Sequence, residues 1–279
     1  MQKLLVLLFV PLLFSNVQTT EISHSTDLHA LVSSGEVKCE ILTNGGYNES
    51  SIKLKLINSG KGRRVLIPAG TRFTSSLSEE QDLVIPEDLI VALPRNTDKE
   101  YNVDAYCVQQ SNLSPSEGES FGLSKETDQD LLKVLNFMSG KEFETDIIQD
   151  AIWSVTDGSS IASIDRSNPK CEELRKYLSE ITGQEDVWYD LDRDHYANES
   201  REIVAETKEV SGNIAYEATQ TGSVKMQVTT EEGRVIRELG GGMPISRLGK
   251  YKFRFSMKVQ GWDQGVYFVQ LKLGDNVFH

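Results

Sequence analysis

Tyr251-Lys252-Phe253-Arg254-Phe255-Ser256-Met257-Lys258 alternates apolar and polar side chains at every step. A strand turns successive side chains to opposite faces, so this stretch offers one apolar face to a core and one polar face to water. The same period of two runs through Val224, Met226 and Val228, and again through Tyr267, Val269, Leu271 and Leu273. Half-polar alternation belongs to antiparallel sheets, and residues 205–279 are expected to form a small β-sandwich.

Working back along the chain, Lys38–Leu42, Ile52–Leu56, Val65–Ile67, Leu83–Ile85 and Leu89–Leu93 are short apolar or alternating runs. Turn residues such as Gly45-Gly46-Tyr47-Asn48 and Pro86-Glu87-Asp88 part them, and Tyr101 to Val108 alternates as one strand. Strands at this spacing predict a sandwich or barrel. After a polar loop, Ser111 to Gly122, the period becomes helical. Thr127 and Asp130 form a capping-box pattern ahead of a stripe of Leu131, Val134, Leu135 and Met138 that stops at Gly140. A second helix, from Thr145 to Val155, carries Ile148, Ile152 and Val155 on one stripe. A third starts at Asn168-Pro169, shows Cys171, Leu174, Leu178 and Ile181, and ends at Gly183. Residues 27–185 therefore read as one α+β domain, and the acidic stretch 186–204, with Asp190, Asp192 and Asp194, reads as a linker. The expected fold class is mainly β with α: an α+β domain (β-sandwich or barrel plus about three helices), then a C-terminal β-sandwich.

Met1-Gln2-Lys3, the apolar run Leu4–Phe14 and the polar residues that follow have the order of a secretory signal peptide, assigned to 1–20. The run is too short to span a bilayer and no later one approaches that length. The mature chain is thus expected to be secreted or cell-surface, extracytoplasmic and without a membrane span. Removing Lys3 leaves 28 of the 29 basic side chains against 42 acidic ones, a net charge of −14. An acidic surface argues against nucleic acid and anionic membranes as partners, and leaves an extracellular protein or a cell-surface target.

Cys39, Cys107 and Cys171 are an odd number for an extracellular chain, so at least one is free, intermolecular or otherwise occupied. One reading joins Cys39 and Cys107, on an early and a late strand, in an inter-sheet disulfide. Cys171 is then a small buried hydrophobe, Gln149 and Trp153 are packing residues, and the protein is a non-catalytic binding or assembly module.

The other reading starts from two motifs, Tyr106-Cys107-Val108-Gln109 at the end of a strand and Ile148-Gln149-Asp150-Ala151-Ile152-Trp153 on a helix. Together they resemble the thioester domains of bacterial surface adhesins. The resemblance implies that Cys107 is the thioester cysteine and Gln149 the acyl donor. Trp153, four residues on and on the same helical face, would be the cover that keeps water away. Such a bond acylates a surface amine or hydroxyl once, so the implied role is adhesion, with no enzymatic turnover.

Val228-Thr229-Thr230-Glu231-Glu232-Gly233-Arg234-Val235-Ile236-Arg237-Glu238-Leu239 and Gly261–Val269 resemble the immunoglobulin-like domain of flagellar hook-capping proteins and related C-terminal modules of secreted Bacteroidota proteins. This implies an immunoglobulin-like β module used in secretion or assembly. His24, His29, His195 and His279 lie near the ends or in the acidic stretch, which argues against a Ser-His-Asp or Cys-His hydrolase. Asp190, Asp192 and Asp194 imitate a calcium loop, but His195 and Arg201 stand where glycine and glutamate are needed. With no zinc spacing, phosphate loop or nucleotide fingerprint, no metal or cofactor is expected.

Overall fold

Alternating and helical runs become elements where their apolar faces can meet, and here they meet in three cores. A computed structural model describes residues 25–49, 51–263, 265–273 and 276–277; the expected signal peptide at 1–20 lies outside them. The first elements are β1 (Thr26–Asp27), α1 (Leu28–Ser33), β2 (Val37–Thr43), β3 (Ile52–Asn58), β4 (Arg63–Ile67), β5 (Thr71–Ser75), β6 (Leu83–Val84), β7 (Leu89–Leu93), β8 (Thr97–Val103), β9 (Tyr106–Cys107) and β10 (Phe121–Lys125). Helices α2 (Gln129–Met138), α3 (Thr145–Thr156) and α4 (Pro169–Thr182) follow. Then come β11 (Tyr189–Ala197), β12 (Ile203–Ala218), β13 (Gly222–Thr230), β14 (Val235–Ile245), β15 (Gly249–Lys258), β16 (Tyr267–Leu273) and β17 (Asn276–Val277). The chain is mainly β with a helical layer, as its periodicities predict.

Three sheets, ordered β1-β4-β7, β10-β5-β6-β9 and β2-β3-β8, feed one apolar core. Alternation along β6 and β9 sends Leu83 and Cys107 into that core, while Val84, Tyr106 and Val108 join a second cluster with α2, α3 and α4. Helix α3 lies between the two cores. Ala151 and Ile152 pack with the helices, and Trp153 packs with the strands. The expected Ile148, Ile152 and Val155 stripe does face the helical cluster, but Gln149 and Trp153 on the other side are buried as well.

Some boundaries differ from the sequence reading. Tyr101 to Val108 is two strands, β8 and β9, in different sheets, with the chain crossing over at Asp104–Ala105. The expected polar loop ends early, because Phe121 opens β10 against β5. Helix α2 is capped by Asp128, whose carboxylate accepts from Asp130 N at 2.8 Å and Leu131 N at 3.2 Å. An aspartate one residue beyond Thr127 meets those free N–H groups directly, so no capping box is needed. Helix α4 follows its signals: Asn168 caps it, Pro169 starts it, and Gly183 ends it at φ 71°, the left-handed turn that glycine adopts without strain.

The segment expected to be an acidic linker is largely strand. β11 pairs antiparallel with β12 from Tyr189–Gly212 to Ala197–Ile203, and β12 pairs with β15. Its acids are held by cations: Asp190 accepts from Arg175 at 2.6 Å and Arg166 at 3.0 Å, and Asp194 meets Lys208. Buried Arg175 also donates to Val187 O at 2.6 Å and Tyr189 O at 2.9 Å. At the far end of the hairpin, Arg201 bonds Ser116 Oγ at 2.6 Å, Ser114 O at 3.1 Å, and Glu80. Both ends of the hairpin are thus pinned to the N-terminal region. Beyond it, the sheets β11-β12-β15 and β14-β13-β16-β17 share one core. Ile214, Phe253 and Phe255 come from one sheet, and Val224, Met226, Val228 and Leu271 from the other. Among the described residues no helix is long and apolar enough to cross a membrane.

Candidate functional site

β9 is the outer strand of its sheet, next to β6 only. Leu83 faces Cys107 in that pair, and the ladder bond beside it runs from Val108 N to Asp82 O at 3.0 Å. The N–H and C=O of Cys107 are therefore left facing α3. Buried backbone groups need partners. The Cys107 N–H is shared between Tyr47 O at 3.0 Å and Gln149 Oε1 at 3.1 Å. The Cys107 carbonyl accepts from Gln149 Nε2 at 2.8 Å. A single carboxamide thus does for β9 what a further strand would do, and both ends of it are used on the same residue.

Cys107 and Trp153 are fully buried and Gln149 is 1% exposed. Burial pushes the Cys107 thiol well above its ordinary range, and the charges of Asp157 and Asp82 push the same way, so the sulfur carries its proton at neutral pH. Tyr47 stacks on the Trp153 indole at 6.0 Å, and His195 meets that ring edge-on at 5.1 Å. The indole N–H has no hydrogen-bond partner among the described residues.

The residue after Gln149 adds a titratable pair. Asp150 Oδ1 lies 3.5 Å from His195 Nε2, and their side chains are 10% and 4% exposed. Burial raises Asp150 to about 7; Arg193 opposes the rise and Asp146 adds to it. Burial, helped by Arg193, lowers His195, against the pull of Asp146 and Asp194. Tyr47 links the two halves of the site: its hydroxyl donates to His195 O at 2.6 Å while its carbonyl takes the Cys107 N–H.

Cys107, Gln149 and Trp153, singled out by sequence, do converge. The Cys39–Cys107 disulfide does not form: all three cysteines are free thiols. Cys171 is buried on α4, as its stripe position predicts. Sequence reasoning set His195 aside as part of a linker and did not weigh Tyr47 or Asp150. The turn at Asn198–Ser200 between two extended runs was the one local sign that 189–203 is a hairpin. Among the described residues no group of three or more His, Cys, Asp or Glu, Asp190, Asp192 and Asp194 included, is arranged to hold a metal ion.

In comparison with known proteins, no family model matches the chain and no curated protein matches it.

Proposed function

We propose that this is a secreted or cell-surface attachment protein of the thioester-domain type, in which Cys107 and Gln149 form the reactive pair. The observation that carries the reading is the reciprocal bonding of the Gln149 carboxamide to Cys107 in a dry site beside Trp153. The Cys107 thiol adds through Sγ to Gln149 Cδ, the C–N bond breaks, and ammonia leaves with the thiol proton. The Cys107 N–H, already on Oε1, stabilises the oxygen as negative charge develops there. An amine on a target then displaces the thiol, forming an amide and returning the proton to sulfur. Each molecule acts once. The C-terminal sheets, by their resemblance to immunoglobulin-like modules, serve as spacer or assembly domain.

A second reading rests on the same two bonds. With both ends of its carboxamide satisfied, Gln149 is a clamp on the edge of β9, and the buried, protonated Cys107 is inert. The protein is then a passive extracellular binding module without a disulfide. Intact-mass spectrometry of the mature protein, with and without methylamine, separates the two. A mass lower by one ammonia, converted to an amine adduct and absent in Cys107→Ala, supports the thioester. Full mass and no adduct leaves the passive module.

A further inference from the structure

Trp153 is fixed by contacts that come from far along the chain. Tyr47 stacks on it, and His195 brings its ring edge from the β11–β12 hairpin. Asp150, next to Gln149, lies 3.5 Å from the imidazole Nε2. The backbone behind it is tied by the Tyr47 hydroxyl, and the hairpin is pinned at its two ends by Arg175 and Arg201. An apolar side chain would pack on an indole without the desolvation that a buried histidine suffers. What His195 contributes to the indole is its ring edge.

We propose that His195 is a positioning residue of the Cys107–Gln149 site, its ring edge holding the Trp153 ring in place beside the pair and keeping water and reagents off it. The inference rests on that pair being the functional centre. It gives the hairpin a role, since the strand carrying His195 then closes the site while Asp190 binds it to the helical layer through Arg175.

The test measures access to the Cys107 sulfur. The full chain carries Cys39→Ser and Cys171→Ser and is first treated with methylamine, which leaves Cys107 a thiol whether or not a thioester had formed. Labelling by N-ethylmaleimide is followed by intact mass. His195→Ala is expected to label roughly tenfold faster or more than its parent, because labelling of a buried thiol follows the locally opened population. His195→Phe, which restores a ring edge against Trp153, is expected to stay within about threefold of the parent. Tyr196→Ala, the exposed neighbour on the same strand, should leave the rate unchanged. Parental labelling in His195→Ala overturns the proposal. So does a His195→Phe protein that labels as fast as His195→Ala, since a lost ring contact would then not be the cause. The untreated wild-type mass keeps this separate from the thioester question. Full mass with His195-dependent labelling removes the thioester and leaves the positioning role; an ammonia deficit with His195-indifferent labelling does the reverse.

Discussion

Replacing Gln149 by methionine tests the clamp on β9 directly. Methionine keeps the length and much of the volume of the side chain but has no N–H donor and only a weak acceptor. The Cys107 N–H would keep its bond to Tyr47 O at 3.0 Å, so the loss falls on the carbonyl, whose Gln149 Nε2 bond at 2.8 Å has no substitute in a site that is 1% exposed. An orphaned buried acceptor costs about 1–3 kcal/mol, and weakening the shared N–H adds a fraction more. Burying an apolar side chain in place of an amide returns part of this, so a net destabilisation of about 2 kcal/mol is expected. The comparison is made in the Cys107→Ala background, where no thioester can form and the backbone bonds at position 107 remain. Urea denaturation at fixed pH, read as the shift in midpoint with an unchanged slope, gives the number. A loss below about 0.5 kcal/mol would refute the reasoning, because surface-like neutrality cannot come from a residue that completes a buried strand edge.

Other consequences follow from the same geometry. Trp153→Ala removes an indole shared by the strand core and the site, and should cost about 3–5 kcal/mol in denaturant midpoint, with Trp153→Phe losing less. Arg175→Met leaves Asp186 and Asp190 with Arg166 as their remaining cation and orphans the carbonyls of Val187 and Tyr189, at a cost of about 2–3 kcal/mol. Hydrogen exchange should then quicken first in β11. Asp150 is raised to about 7 in the fold, so the folded state resists its ionisation. Its contribution is fullest below the ordinary carboxylate range and is lost as pH rises toward about 7. Asp150→Asn should therefore gain on wild type between pH 4 and pH 8 in thermal midpoint; a constant difference across that range would count against a buried carboxyl. His195, lowered by burial, acts oppositely: its contribution is present above the ordinary imidazole value and is lost as pH falls below it, so His195→Phe should flatten the acid side of the same profile.

The periodicities of the sequence determined many of the strands and the three long helices, though not β10 or β11, which fall in stretches that read as loop and linker. Tyr251–Met257 alternates because one face is buried and the other wet, and local order alone carries that pattern; in β13 the core face Val224, Met226 and Val228 keeps the period, although Gln227 and Thr229 opposite it are buried too. The same is true of the α2 and α4 stripes, and of Asn168 and Gly183 at the ends of α4. The residue types at 107, 149 and 153 pointed to one place because two short motifs carried them. Tertiary structure alone decided what they touch. Gln149 binds the backbone of Cys107, and a backbone bond leaves no mark on the residue type it reaches. β8 and β9 part because their hydrogen-bonding partners lie in different sheets, although the side-chain alternation runs across the join. His195 lies on an acidic, half-exposed strand whose place is set by Arg175 on α4 and by the bonds of Arg201 to Glu80, Ser114 and Ser116, far back in the sequence. Long-range ion pairs and shared backbone donors have no period, so only the folded chain could bring His195 to Asp150 and to the indole beside Cys107.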